Sequence, residues 1–448
     1  MKPPKTKSNA CPLPQHLGEK LKQIREAKGF SQESMAHALK CSRVTISHIE
    51  NGKVEVNDET LLVAKKFLEI ENAPLFEHEL NVFESRLLTT NELIDEGRLP
   101  EAGDMLKNLS VILCLPYEKN YIFFYKMTEV RLFTRRGELS RAEELVIASE
   151  ELLDNASLEA KHLYHRNMGV CIFNRLHHKD CKTALKHFQK ALEMGCGKLV
   201  FDPMLYVQIG ATLMEYGKPI RAIIYYEQAI MAYGGRRSNV STLAYSNLCL
   251  VECLFFIGEL QRAKKLINEV LELTVNTEHK LHYALALTKM AYIHQQMGDP
   301  KEGLKIIEQA IVQANDDIST FNGKIYYGMK LNIKAICLLD MKKYKESSAV
   351  AEEGKRLVQG NERKEMIFEA INKLTNLRDS ESIDYIENIA IPRLCATNYT
   401  GSLYEALNLC ERLKIHYKKR RAEKKAAIMG DMAGEIFRKI IVGPTDIE

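Results

Sequence analysis

The stretch MEYGKPIRAIIYYEQAI, residues 214–230, contains the pattern that decides the fold. Gly217 separates two amphipathic helical patterns, and Ala222 follows it five positions later. A glycine adopts the left-handed conformation that ends a helix, and a small alanine lets the next helix pack closely against the first. The stretch therefore predicts two packed helices joined by a tight turn.

The same pattern recurs along the chain, for example in FFIGELQRAKKLINEVL at 255–271. We mark nine turn positions, each with the residue five positions later, which is usually alanine or another small residue. They are Gly97 with Ala102, Gly137 with Ala142, Lys179 with Ala184, Gly217 with Ala222, Gly258 with Ala263, Gly298 with Gly303, Lys342 with Ser347, Asp379 with Asp384, and Arg421 with Ala426. Their spacings are 40, 42, 38, 41, 40, 44, 37 and 42 residues. Such units resemble tetratricopeptide repeats with a lengthened period. They predict an all-α fold, a right-handed superhelical solenoid of about nine tetratricopeptide-like helix pairs with a concave face.

The C-terminal part of the array departs from this period. Pro392 and Gly401 are both expected to break a helix, so a longer bend is predicted over 391–404, before a final pair that caps the array. The basic run 418–421 falls at the turn of that pair. We interpret it as a solvated helix end rather than a second nucleic-acid patch.

A different pattern fills the N-terminal part, where SQESMAHALKCSRVTISHIENGK spans residues 31–53. Ser31 and Ser42 each stand where a helix N-cap is expected. The helix after Ser42 buries Ile46 and Ile49 and leaves small polar and basic side chains on its other face. Two short helices joined by a tight turn, the second with such a face, fit the major groove of DNA.

This stretch resembles the Cro/repressor type of helix-turn-helix domain. The resemblance implies DNA contacts from Gln32 at the start of one helix and from residues at the start and free face of the next, which are Ser42, Arg43, Val44, Thr45, Ser47 and His48. It also implies a structural pair between Arg25 and Glu50, and Lys40 stands where the family usually has glycine. Two alternatives stay open: an ordinary helical bundle with a solvated polar face, or a helix-turn-helix fold that no longer binds DNA.

The length of 448 residues suits a small domain followed by a repeat array. We predict a basic flexible tail at 1–16, a helix-turn-helix domain at 17–70, a linker helix at 71–91 and a repeat domain at 92–448. Residues 1–70 hold 12 Lys and Arg against 8 Asp and Glu, whereas the remaining residues hold 51 of each kind. The excess positive charge therefore lies where phosphates are expected to bind.

The sequence lacks the patterns that are typical of membrane proteins, secreted proteins and several classes of enzyme. The chain has no apolar run of the roughly 18 to 20 residues that a membrane span needs, and residues 1–16 lack the apolar segment of a secretory signal. Eleven cysteines without a CxxC pair indicate reduced thiols in a cytoplasmic protein. Because no GxxxxGK, GxSxG or HExxH motif is present, we expect no enzyme activity, cofactor or metal site.

A Cro-like domain followed by such repeats resembles the RRNPP family of Gram-positive peptide-pheromone receptors, with its NprR-like and PlcR-like members. The resemblance implies a cytoplasmic homodimer, a quorum-sensing transcription regulator that binds double-stranded operator DNA. A short signalling peptide in the concave face would control it. The alternatives are a Rap-like solenoid that binds or dephosphorylates a response regulator, and a phage or mobile-element repressor under peptide control.

Candidate peptide contacts follow from the chemistry of an extended peptide. Its exposed amide groups need side chains that both donate and accept hydrogen bonds, as Asn and Gln do. Family members place Asn on the first helix of a pair, and the matching candidates here are Asn167, Asn247 and Asn332, to which we add Gln208 as an amide that can serve likewise. The alternative for each is an amide bonded to water. We interpret the tyrosines of these helices as core residues: Tyr164, Tyr206, Tyr245 and Tyr283.

Overall fold

The computed structural model describes residues 15–95, 97–153, 156–174, 180–194, 203–233, 240–275, 280–313, 321–397 and 399–443. In these ranges every regular element is a helix. The α-helices are α1 (Leu17–Ala27), α2 (Gln32–Ala38), α3 (Arg43–Glu50), α4 (Asp58–Phe67), α5 (Glu77–Asp95), α6 (Leu99–Leu109), α7 (Lys119–Arg136), α8 (Leu139–Ala148), α9 (Leu158–Phe173), α10 (Cys181–Met194), α11 (Pro203–Glu215), α12 (Pro219–Tyr233), α13 (Val240–Phe256), α14 (Leu260–Thr274), α15 (Lys280–Gln296), α16 (Pro300–Gln313), α17 (Phe321–Asp340), α18 (Tyr344–Leu357), α19 (Glu362–Leu374), α20 (Ser380–Tyr385), α21 (Ile391–Cys395), α22 (Thr400–Lys419) and α23 (Glu423–Val442). The chain forms two compact units, Met1–Phe201 and Asp202–Glu448. Among the described helices, none has the length and apolar character needed to cross a membrane.

The first four helices form the predicted N-terminal bundle. Its centre is made of fully buried side chains, including Leu21, Ile24, Met35 and Ile46. The predicted caps are present: the Ser31 hydroxyl accepts a hydrogen bond from the Ser34 amide at 3.0 Å, and the Ser42 hydroxyl accepts one from the Thr45 amide at 3.1 Å. Lys40 has φ 52°, so this lysine takes the left-handed conformation for which glycine is usual. Most of the predicted tail, residues 1–14, lies outside the described residues.

Three helix pairs follow in the same unit: α5 with α6, α7 with α8, and α9 with α10. The first of these shares one hydrophobic core with the N-terminal bundle, in which Leu68 and Leu75 pack with Leu80 and Phe83. Helix α5 packs against α6 and α7 as the first helix of a pair. The range 71–91, expected to hold a linker helix, therefore contains most of a repeat helix, while the exact domain boundaries stay predictions.

Six more pairs form the second unit: α11 with α12, α13 with α14, α15 with α16, α17 with α18, α19 with α20, and α22 with α23. The second helix of the α19 pair continues from α20 through a π-helical turn, Ile386–Ala390, into α21. The described residues thus contain nine pairs, and the predicted class of a helix-turn-helix bundle followed by about nine helix pairs is confirmed.

The predicted turns explain this regularity. Five of the marked glycines have φ between 80° and 84°: Gly97, Gly137, Gly217, Gly258 and Gly298. Lys342 and Arg421 take the same conformation with φ 62° and 56°. The small residues that follow are at most 3% exposed: Ala102, Ala142, Ala184, Ala222, Ala263, Ser347 and Ala426. At these seven turns a left-handed residue therefore ends the first helix, and the small side chain that follows lets the second helix pack closely. The turn at Lys179 lies outside the described residues.

The prediction of a repeat turn at Asp379, followed by a closely packed residue at Asp384, is wrong. Asp379 has φ −82° and caps α20, where its carboxylate accepts hydrogen bonds from the amides of Glu381 at 3.3 Å and Ser382 at 3.0 Å. Asp384 is exposed, and Ser382 is the small residue buried in the interface. An aspartate cap begins the second helix here, so no left-handed residue is required.

The predicted bend over 391–404 is also wrong in extent. Pro392 lies inside α21, where the wider π-helical turn before it accommodates a residue that has no N–H to donate. Gly401 lies in the first turn of α22. The described non-helical residues of this link are Ala396, Thr397 and Tyr399.

Helix α22 does more than cap the end of the array. It packs against first helices of pairs that precede it by 72 to 186 residues. The hydrogen-bonded contacts are Thr400 to the Met214 carbonyl at 3.1 Å, Tyr404 to Gln296 at 3.2 Å, Asn408 to Tyr292 at 3.3 Å, and Arg412 to Asp340 at 2.5 Å. These contacts join α22 to α11, α15 and α17, so it lies across the first helices of the second unit.

Candidate DNA-binding and ligand-binding sites

The predicted DNA-contacting residues of α3 share one outward face. Arg43, Val44 and His48 are exposed, and Val44 exposes 61% of its surface. Thr45 and Ser47 are half-buried beside them. An exposed valine next to an arginine offers an apolar contact for a thymine methyl group and a donor for guanine or phosphate. The geometry therefore allows α3 to present these side chains to a groove.

A buried ion pair holds α3 against α1. The Arg25 guanidinium donates to Glu50 from Nε to Oε1 at 2.6 Å and from Nη2 to Oε2 at 2.9 Å. Its Nη1 donates to the Phe30 carbonyl at 2.7 Å. Arg25 and Glu50 are only 5% and 2% exposed, and the hydrogen bond to Glu50 raises the pKa of Arg25. The structural pair implied by the family resemblance is therefore present, and it fixes the orientation of α3.

Gln32 belongs to the same network. Its amide Nε2 donates to Oε2 of Glu50 at 2.8 Å, and the side chain is half-buried. The structure thus gives Gln32 a packing role at the α2–α3 junction, and its contact with a phosphate stays a prediction. Ser42, an exposed cap at the start of α3, also remains a predicted contact.

The second unit contains a cavity of 520 Å³. Its walls are the first helices α13, α15 and α17, with the start of α19 and the first turns of α22. This volume falls within the usual range of ligand pockets, about 300 to 1,000 Å³. The cavity is therefore large enough for a small ligand or for part of a peptide.

Aromatic rings form one wall of the cavity. The ring of Phe255 stacks on Tyr292 with 4.4 Å between centroids and lies 4.8 Å from the ring of Tyr404. Phe256 lies 5.2 Å from the same tyrosine. The hydroxyls of Tyr292 and Tyr404 bond to protein side chains, so these rings are fixed before a ligand arrives. A rigid aromatic wall can bind the apolar side chains of a ligand with little loss of its own conformational entropy.

Charged side chains line the other part of the cavity. Lys289 donates to Glu252 at 2.9 Å, which makes a paired set. Arg363 donates to the Ser402 hydroxyl at 3.2 Å, and its guanidinium lies 4.4 Å from the centre of the Tyr399 ring. These contacts hold the arginine at the cavity wall.

Two further ionisable groups in the cavity are desolvated. Burial raises the pKa of Glu405 to about 7, although Arg363 and Arg412 oppose the rise. Burial also lowers the pKa of Lys364 to about 8, and the nearby Arg363 adds to this. In the described part of the chain, no group of three His, Cys, Asp or Glu side chains is placed to hold a metal ion.

The structure does not bring the four predicted peptide contacts together. Asn332 lines the cavity. Asn247 is 7% exposed and donates to the Leu243 carbonyl of its own helix at 2.9 Å. Gln208 is half-buried on α11 and does not line the cavity. Asn167 lies in the first unit, where it is 3% exposed and donates to the carbonyl of Met127 at 3.0 Å.

Sequence reasoning missed most of the cavity. Tyr245, interpreted as a core residue, is 42% exposed and lines it, whereas Tyr164 is buried as expected. Tyr206 and Tyr283 are half-buried. The contributions of α19 and α22 were not foreseen, because their residues lie in the part of the sequence where the repeat pattern weakens. In the sequence, the aromatic and charged residues on both sides of Gly401 are the feature that indicates the α22 wall of the cavity.

Comparisons with known proteins agree with this architecture. A helix-turn-helix family profile matches residues 21–70, and no curated protein sequence matches the chain. The apo form of the quorum sensor NprR from B. thuringiensis has a TM-score of 0.63 and 14% identity, over 80% of this chain and 99% of that chain. NprR in complex with its cognate peptide NprX has a TM-score of 0.56 and 14% identity, over 79% and 99%. Aspartyl phosphate phosphatase F from Bacillus subtilis has a TM-score of 0.54 and 12% identity, over 82% and 96%. The chain therefore combines a helix-turn-helix domain with a helical repeat fold like that of NprR and the phosphatase.

Proposed function

We propose that this protein is a transcription regulator that binds double-stranded operator DNA through α3 and is controlled by a short signalling peptide in the cavity of the second unit. The observation that carries the proposal is this 520 Å³ cavity, with one aromatic and one charged wall, in a chain with an outward helix-turn-helix face. NprR, which has a similar fold, was solved with a peptide bound.

The DNA-binding part of the proposal rests on α3. Arg43 and His48 supply donors to base edges and phosphates, and Val44 supplies an apolar contact. A helix of eight residues reads only a few base pairs, so specific binding requires two half-sites and hence a homodimer. A regulator of this kind works where the DNA is, which in a bacterium is the cytoplasm.

The peptide-binding part rests on how the cavity is built. Its walls come from α13, α15, α17, α19 and α22, so a ligand inside contacts helices that are far apart in sequence. Asn332 offers an amide to the backbone of an extended peptide, and Tyr404 and Phe255 offer an apolar surface. A ligand that binds the folded state stabilises it by mass action. If the ligand binds one arrangement of these helices more tightly than another, binding also shifts the protein towards that arrangement.

The experiment is a thermal-shift assay combined with DNA binding by fluorescence anisotropy. Purified full-length protein is titrated with synthetic peptides from small reading frames beside its gene, and with DNA from upstream of that gene. We expect one peptide to raise the melting temperature and to change the DNA affinity. If DNA binds but no peptide has either effect, the ligand assignment is rejected. If Arg43→Ala binds DNA as tightly as the wild type, the role of α3 is rejected.

A second candidate is favoured by the likeness to aspartyl phosphate phosphatase F. In this alternative the repeat array binds a response regulator, with or without removing its phosphoryl group. We favour a role in binding rather than catalysis. Incubation of the protein with phosphorylated response regulators tests the phosphatase: loss of the phosphoryl group that depends on the protein supports it. Peptide-dependent DNA binding without such a loss supports the transcription regulator.

A further inference from the structure

Among the described residues, Lys364 is a cation of the cavity without an ion pair. Lys364 lines the cavity and is half-buried, yet within the described residues its ammonium group makes no ion pair. Its neighbour in the cavity, Lys289, is paired with Glu252 at 2.9 Å. Desolvation of a lysine without a compensating carboxylate costs stability, as the lowered pKa of Lys364, about 8, reflects. A fold that keeps such a group exposed to a cavity presents an anion-binding position.

The surroundings of Lys364 strengthen this charge. Arg363 lines the same cavity and donates to the Ser402 hydroxyl beside the Tyr399 ring; among the described side chains it makes no direct ion pair, although its charge acts on nearby Glu405. The backbone amide of Lys364 is already bonded to the Asn361 side chain at 3.1 Å, so that amide is not available to a ligand.

Acidic groups in the cavity do not cancel this charge. Glu252 is neutralised by Lys289. Glu405 is the other acidic residue among the described residues that line the cavity, and burial leaves it partly protonated near neutral pH because its pKa is raised to about 7. With the lysine and the arginine present, the part of the cavity that α19 forms is positive.

We propose that the ligand carries a carboxylate group that binds at Arg363 and Lys364, while its apolar part packs on the ring wall formed by Phe255 and Tyr404. The inference rests on the proposed function and specifies the chemistry of its ligand. The carboxylate comes either from the C-terminus of a peptide or from an Asp or Glu side chain. Both are recognised by the same charge-assisted hydrogen bonds, and guanidinium and ammonium groups suit them well.

The test uses full-length protein and three synthetic hexapeptide libraries. The first lacks Asp and Glu and has free C-terminal carboxylates; the second has the same composition with amidated C-termini; the third is amidated and contains Asp and Glu. Peptides retained by the protein are separated by size exclusion and identified by mass spectrometry. Wild type is compared with Lys364→Met, with the charge-conserving Lys364→Arg, and with Lys345→Met as a matched control at an exposed lysine.

We expect retention from the first or third library at least about ten-fold above the second, because a charge-assisted hydrogen bond contributes more than the 1.4 kcal/mol that corresponds to a factor of ten. Enrichment of the first identifies a terminal carboxylate, and enrichment of the third a side-chain carboxylate. Lys364→Met should remove the preference, while Lys364→Arg and Lys345→Met keep it.

Two results would overturn the inference in different ways. Equal retention from all three libraries, or a preference unchanged in Lys364→Met, rejects the carboxylate and leaves peptide binding intact. No retention from any library rejects the peptide-binding function itself. The melting temperature of unliganded Lys364→Met checks folding, and we expect it not to fall, since the substitution removes an unpaired desolvated charge.

Discussion

Replacing Glu50 with alanine should weaken the attachment of α3 to α1 while leaving every predicted DNA-contacting residue of α3 unchanged. The carboxylate accepts from Arg25 at 2.6 and 2.9 Å and from Gln32 at 2.8 Å, so one substitution removes three hydrogen bonds. It also leaves the guanidinium of Arg25, a residue that is 5% exposed, buried without its counter-ion. Removing one partner of such a pair costs about 3–5 kcal/mol. Helix α3 should then detach far more often from α1.

Hydrogen exchange measured by mass spectrometry reports this opening directly. A loss of 3–5 kcal/mol corresponds to exchange that is roughly 150 to 5,000 times faster for the protected amides of α1 to α3. Operator affinity should fall in parallel, because α3 must be ordered before it binds. Fluorescence anisotropy with labelled DNA measures that loss.

Two control variants isolate the cause. Glu33→Ala removes an exposed carboxylate from the first turn of α2 and should change exchange little. The double variant Arg25→Met with Glu50→Met removes both charges and should recover most of the protection, because apolar replacement of a buried pair is often neutral. Unchanged α3 exchange in Glu50→Ala, or a double variant as unstable as the single one, would refute the reasoning.

Three further predictions concern other parts of the molecule. Arg43→Ala should weaken operator binding by about 1–3 kcal/mol, measured by anisotropy, and wild-type affinity would contradict a base or phosphate contact. Gly210→Ala should lower the melting temperature, because the new Cβ would lie 2.8 Å from the buried Tyr226 ring, and such overpacking costs about 1–3 kcal/mol. Gly434→Ala, where a Cβ meets open space, is the control and should stabilise by about 0.5–1 kcal/mol; equal effects would disprove the close packing. The raised pKa of Glu405, about 7 against 4.5, means that the folded protein holds this proton more tightly than the unfolded chain, so the contribution of Glu405 to stability is greatest below pH 4.5 and is lost as pH rises towards 7. Thermal scans of Glu405→Gln should show a smaller fall than the wild type over this range, and identical slopes would contradict the shift.

The repeat architecture could be predicted because its signals are local. A left-handed residue at Gly217 or Gly258 and the small side chain after it determine a turn without any knowledge of the rest of the chain. The period then located the same conformation at Lys342 and Arg421, where no glycine indicates it. Asp379 shows the limit of the period, because a capped turn replaced the left-handed one.

The cavity could not be predicted because its residues meet through the tertiary fold. Helical spacing shows that Asn167 and Asn247 lie on first helices, but not which way they face, and both turn to backbone carbonyls. Glu405 and Tyr404 reach the cavity only because α22 crosses helices that precede it by more than a hundred residues. No pattern within a single repeat contains that information.

The crossing of α22 also sets an order of events during synthesis. Neighbouring helix pairs can assemble as they leave the ribosome, because each pair needs only the one before it. The inner side of the second unit must wait longer, since Thr400 follows its partner Met214 by 186 residues. At about 5–20 residues per second, rings such as Phe255 stay uncovered for on the order of ten seconds or more. During that interval the nascent chain has an open apolar groove, which closes only after α22 has been made.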